Sequence, residues 1–214
     1  MFRTLLIWVF LVPMLSGASE DGIQRGGAAY IARSVARPSN TTLGQTGRLN
    51  PSGKPLLTSS TTEKTITSLF DLSATEAFTE GTETGAMSQA SLTEFLVRSP
   101  ISISGTVLSV TTESHCASEG PEIFGRTTLP TLFVQGIEQS VNGATNQVIE
   151  LPDGLGRVIV NEQIAMMGII NSRIQVNGIH VKLTSGQDII LGHAEAEVRC
   201  GDPVSTLSLL HLFQ

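Results

Sequence analysis

His180 and His193, with Glu195 and Glu197 following His193 at intervals of two, are the residues whose types and spacing most invite chemistry. Side chains alternate between faces along an extended strand, so His193, Glu195 and Glu197 share one face. Imidazole and carboxylate together suit zinc, which makes His180, His193 and Glu195 a candidate ligand set. The competing reading is a solvated polar face, ordinary on an antiparallel strand whose other side is buried. Asn161, Glu162 and Asn177 form a second group. They either order turns and loop backbone by hydrogen bonding or face a ligand.

Other chemistries find less support. Serines are plentiful and there are four histidines, but no G-x-S-x-G elbow is present. A triad is recognised by geometry, so no catalytic residue is assigned from spacing. Glu76, Glu80 and Glu83 share a face only if their segment is helical, and the closely spaced Asp and Asn ligands of a calcium loop are absent. No cofactor is expected.

The chain has two cysteines, Cys116 and Cys200. In an exported protein they most simply form one disulfide. Two free buried thiols are the alternative. Two thiols outside a C-x-x-C pair do not complete a tetrahedral zinc set.

Export is read from residues 1–18. Arg3 supplies a positive start, Leu5 to Val12 an unbroken apolar run, Pro13 a break, and Ser16, Gly17 and Ala18 the small residues of a cleavage site. The run is shorter than the roughly 20 residues that span a bilayer. A mature chain beginning near Ser19 or Glu20, secreted or held at the cell surface, is expected. No later stretch reaches membrane-spanning length.

Net charge is −6 with no basic cluster. Nucleic acid needs clustered Lys or Arg, and an anionic membrane surface asks the same, so neither is an expected partner. An extracellular glycan or surface protein is. Scarce Lys with abundant Gly, Ser and Thr argues against a helical bundle and for strands.

Within 19–84 the sequence predicts a first strand over Ala28 to Val35. Loops follow from Arg37 to Thr62, marked by Asn50-Pro51 and closely spaced glycines. Asn40-Thr41-Thr42 is a glycosylation sequon. Thr65 to Thr67 reads as a short strand, and 71–83 is open between loop and a helical turn.

Residues 85–200 form the expected core. From Gly85, Ala86, Ala90, Leu92 and Leu96 take one face, and Ser91, Thr93, Phe95 and Val97 the other. In the next strand Ile101 and Ile103 shift phase after Gly105 to Leu108 and Val110, as at a β-bulge. Ala117 to Gly125 reads as a loop. A strand over Thr128 to Gln135 has Pro130 at its edge or start. Asn142-Gly143 is a hairpin signal, and Pro152-Asp153-Gly154 is a turn.

Leu155 to Val160 reads as a strand ended by Asn161-Glu162-Gln163, with Met166 to Ile170 covering an edge or loop. Arg173 to Leu183 is a strand that changes phase at Gly178. In Asp188 to Cys200, Ile190, Gly192, Ala194, Ala196, Val198 and Cys200 take one face. Residues 201–214 are a tail. The sum is a single all-β domain, an antiparallel β-sandwich or barrel-like fold with long N-terminal loops.

Asn161-Glu162-Gln163, Val176-Asn177-Gly178-Ile179-His180-Val181 and Leu191-Gly192-His193-Ala194 occupy places that resemble those of the choice-of-anchor P family of bacterial exported proteins. Gly26 to Tyr30 is similar to its opening strand, and Leu132 to Gly136 to its short strand before a tight turn. The resemblance implies export and β structure, and it brings no catalytic residues. That family varies in its C-terminal anchor, and GDPVSTLSLLHLFQ after Cys200 contains no sorting motif.

Two functions follow. One is an exported non-enzymatic β module with a structural, adhesive or glycan-contact role. The other is an exported hydrolase or metal-dependent enzyme.

Overall fold

A computed structural model describes residues 22–36, 39–49, 56–61 and 65–201. The expected signal segment, residues 1–18, and residues 202–214 of the expected tail lie outside the described residues. The strands in chain order are β1 (Gln24–Ala36), β2 (Ser39–Leu43), β3 (Leu56–Thr61), β4 (Thr65–Ile66) and β5 (Phe70–Ser73). Then come β6 (Thr75–Gly81), β7 (Gly85–Val97), β8 (Ile103–Ala117), β9 (Gly120–Thr128) and β10 (Thr131–Val134). The last are β11 (Ile137–Glu138), β12 (Gln147–Glu150), β13 (Gly156–Met167), β14 (Asn171–Leu183) and β15 (Asp188–Arg199). A 3-10 turn at Pro152–Gly154 joins β12 to β13.

Two antiparallel sheets result, as the strand-rich composition predicts. The six-stranded sheet has the order β12-β13-β14-β15-β1-β2. The nine-stranded sheet is centred on β7 and β8, which carry β6, β5, β9 and β10 along their length. The core lies between the sheets: Ile179, Val181, Ile189 and Leu191 of one meet Leu92, Leu108 and Val110 of the other. Truncating one of these leucines to alanine costs about 2–5 kcal/mol. The Cys116–Cys200 disulfide forms, with Cα atoms 5.6 Å apart, and ties the end of β8 to the residue after β15.

One row of residues bends the six-stranded sheet. Asn161 lies level with Gly178, Gly178 with Gly192, and Gly192 with Ile31, as the flanking pairs Val160↔Ile179, Asn177↔His193 and Ala32↔Leu191 fix. Asn161 and Gly192 have φ of 53° and 62°. On one side of the row Ile174, Val176, Ala194 and Ala196 are buried, and on the other Ile179, Val181, Ile189 and Leu191. The inward parity therefore changes by one residue in each strand. A Cβ on Gly178 would sit 2.6 Å from Val110 and 2.8 Å from Leu108, so glycine lets β14 approach β8.

That phase step corrects two expectations. Ile190 belongs to the outer face, because Ile189 and Leu191 point inward before the step at Gly192 and Ala194, Ala196 and Val198 after it. In β7, Phe95 and Val97 are buried with Ala86, Ala90 and Leu92, while Leu96 turns out. The step there is at Thr93, level with Val107, whose φ is 51°.

Strands also replace several expected loops. Much of 37–84 is β2 to β6, and no helix forms over 71–83. β6 carries a hydroxyl inward: Thr79 is fully buried and accepts from Ser88 Oγ of the neighbouring β7 at 3.1 Å. A search for apolar alternation passes over such a strand. The turn before β9 is at Ser118 and Glu119, so most of the loop expected at 117–125 is strand. The hairpin joining β10 to β11 turns at Gln135 and Gly136, with φ of 52° and 77°. Asn142-Gly143 instead lies on the passage between sheets, where Asn142 Oδ1 accepts from the Ala144 amide at 2.9 Å. Strand β13 does not stop at Val160 but runs on to Met167.

Candidate functional site

Strand register builds the site. Glu162 pairs with Asn177, Asn177 with His193, and His193 with Tyr30. These four residues form one straight row across β13, β14, β15 and β1 on the outer face of the six-stranded sheet. The row beyond the bend sets His180 opposite Ile190 and Ile190 opposite Arg33. On the other side Gln175 lies opposite Glu195, and then Arg173 opposite Glu197.

Hydrogen bonds run along the main row. Glu162 Oε2 accepts from Asn177 Nδ2 and from His180 Nδ1, each at 2.6 Å, while Lys182 Nζ donates to Oε1 at 3.1 Å. Asn177 Nδ2 is committed to a carboxylate, so its Oδ1 is the acceptor facing His193 Nδ1 at 2.7 Å. His193 Nδ1 must then carry the proton. The ring stacks on Tyr30, centroids 4.3 Å apart and planes 13° apart.

Charge follows this geometry. Burial alone would raise the Glu162 carboxyl, but the hydrogen bonds from His180, Asn177 and Lys182 and the electrostatic attraction of His180 outweigh it and hold the group at about 2. Burial pushes the His193 imidazole down to about 4, with Glu195 opposing and Arg33 and Arg173 assisting. His193 is thus neutral at pH 7, and its Nε2 bears a lone pair. Burial works to raise Glu195 too, yet Gln175 at 2.6 Å and Arg173 at 2.8 Å bring its carboxyl below the ordinary value. Tyr30 is raised by burial, against the neighbouring Arg33.

A groove of about 520 Å³ opens over this face, walled by Tyr30, Arg33, Gln175, Asn177, His193 and Glu195. Chemically it offers a cation, a neutral imidazole and amides. Glu162 lies behind the wall as the anchor of the row.

The sequence-selected residues divide. Glu162 and Asn177 enter the network. Asn161 orders a loop: its Nδ2 donates to the Gly143 carbonyl at 3.3 Å and its Oδ1 accepts from Gln163 at 3.0 Å. His180, His193 and Glu195 share the outer face but do not converge as a metal set. His180 Nδ1 goes to Glu162, His193 Nδ1 to Asn177, and Glu195 to Arg173 and Gln175. Among the described residues no three His, Cys, Asp or Glu side chains form a metal-binding group. Tyr30, Arg33 and Gln175 were not selected. The available signal was the lone tyrosine on a predicted strand, whose neighbours only the register reveals.

No family model matches this chain, and no curated protein does. Among solved structures, the crystal structure of Ail, the attachment invasion locus protein of Yersinia pestis, is similar at 9% identity over 83% of this chain and 96% of that one. Its TM-score of 0.19 is too low to bear on fold or function. Among the described residues no helix is long and apolar enough to cross a membrane.

Proposed function

We propose that this chain is an exported, surface-related β module that binds a glycan in the groove on its six-stranded sheet and performs no chemistry on it. The observation that carries this reading is the ordered row Glu162–Asn177–His193–Tyr30. Its last two rings are stacked against a groove that amides and charged groups line. A carbohydrate site needs such fixed polar groups, because hydroxyls are recognised by donors and acceptors held in place. Kinship with the choice-of-anchor P proteins belongs to the same proposal. Its supporting segments meet side by side here, since Glu162, Asn177 and His193 are the motif residues that form the row.

The test is binding of the secreted protein to immobilised neutral and acidic polysaccharides, repeated with Gln175→Ala. Expected are saturable binding and its weakening in the variant with an unchanged melting temperature. Absence of binding to every polysaccharide would overturn the reading.

A second reading, an exported hydrolase, rests on one observation. His193 is a neutral imidazole whose Nδ1 is fixed by Asn177, leaving Nε2 as a base. Release of reducing sugar that disappears in His193→Ala, with stability preserved, would favour it over the module.

A further inference from the structure

From the placement of Arg33 and His193 around Tyr30 in the groove wall we infer that the groove selects an acidic sugar, a hexuronate whose carboxylate meets Arg33 and one of whose free ring hydroxyls donates to His193 Nε2. The inference rests on the groove being a sugar site.

Arg33 is three residues after Tyr30, an odd interval that would put the two on opposite faces of a regular strand. The bend at Ile31 restores them to the same face, and both line the groove. Arg33 has no carboxylate within ion-pair distance among the described residues. Its cross-strand neighbours are Thr42 and Ile190, neither of them charged, and its Nε is buried without a hydrogen-bond partner. The groove's one carboxylate, Glu195, is held by Arg173 and Gln175, with Arg48 at 3.6 Å. A guanidinium so placed fits an incoming carboxylate, which it can bind through two parallel hydrogen bonds.

His193 contributes the complementary demand. Asn177 Oδ1 accepts the hydrogen bond from Nδ1–H, so Nε2 is an acceptor and asks for a donor such as a hydroxyl. A hexuronate residue carries both a carboxylate and free ring hydroxyls on one ring. A neutral hexose supplies the hydroxyl alone, and a free carboxylic acid the anion alone.

The experiment is calorimetric titration of the secreted protein with oligogalacturonate and with the same oligomer fully methyl-esterified. A sulfated neutral oligosaccharide serves as a second anion. The acid form is expected to bind about tenfold or more tightly than the ester. Arg33→Gln should bring that ratio close to one by weakening binding of the acid form. The preference in the unaltered protein should also shrink as salt rises from about 0.05 to about 0.5 M, with ester binding unmoved, a measurement that needs no variant to fold. Equal affinity for acid and ester overturns the inference and leaves the sugar site standing. A preference for the sulfated oligosaccharide over oligogalacturonate also overturns it. Binding of none of the three overturns the sugar site itself.

Discussion

His193 Nδ1 donates to Asn177 Oδ1 at 2.7 Å, and this one bond fixes which nitrogen of the imidazole faces the groove. It can do so because the amide group of Asn177 is spent on Glu162 at 2.6 Å, so the side chain cannot turn over without setting two oxygens face to face.

Asn177→Asp therefore does more than change one contact. It replaces the donor to Glu162 with a second carboxylate, and losing a buried hydrogen bond to a charged group costs about 1.5–3 kcal/mol, with like-charge repulsion added. The new anion also favours imidazolium, so the His193 pKa should rise from about 4. Urea unfolding and an NMR titration of the His193 ring report the two effects. An unmoved His193 titration would remove Asn177 as its partner.

Acid should unfold the protein in two windows. His193 is at about 4 when folded against an ordinary 6.5, and Glu162 at about 2 against 4.5. Both folded values are depressed, so in both cases the unfolded chain binds protons first and stability falls as pH falls. The His193 contribution is complete above pH 6.5 and is lost between 6.5 and about 4; that of Glu162 is complete above pH 4.5 and is lost between 4.5 and about 2. Each is about 3 kcal/mol in full. In urea midpoints measured against pH, His193→Gln should flatten the upper window and Glu162→Gln the lower.

Cys116→Ser or Cys200→Ser opens a loop closed over a separation of 84 residues. The chain-entropy estimate for such a loop is about 4–5 kcal/mol. The denaturant midpoint should drop accordingly, and the reduced unaltered protein should match the variants. Neither cysteine belongs to the buried apolar core, so circular dichroism of the folded variants should keep its β signature.

Much of the architecture was legible. Arg173 to Leu183 is a strand with its phase step at Gly178, and Pro152-Asp153-Gly154 does turn the chain, because glycine and proline act locally on the backbone. Ile190 and Leu96 were placed on the wrong faces for a different reason. Their strands step in phase at Gly192, which has a positive φ itself, and at Thr93, set opposite the positive-φ Val107, and a partner is a property of register. The strands β3 and β6 escaped because they pair with each other by backbone without apolar alternation, and β6 buries the Thr79 hydroxyl. Of the site, Glu162 and Asn177 were visible as polar residues without an evident role. That they line up with His193 and Tyr30 follows only once four strands are laid side by side.

The backbones of Gly22 and Gly201 run next to each other where β1 begins and β15 has ended. A pull that separates these two points peels the antiparallel pair from one end, breaking its ladder bonds in succession instead of shearing them together. β1 would give way first, and with it Tyr30 and Arg33. Extension from Cys116 to Cys200 is blocked by the covalent bridge, so Asn177 and His193 stay inside a segment that tension cannot lengthen. Mechanically, the groove has one wall that opens under tension and one that the disulfide keeps closed.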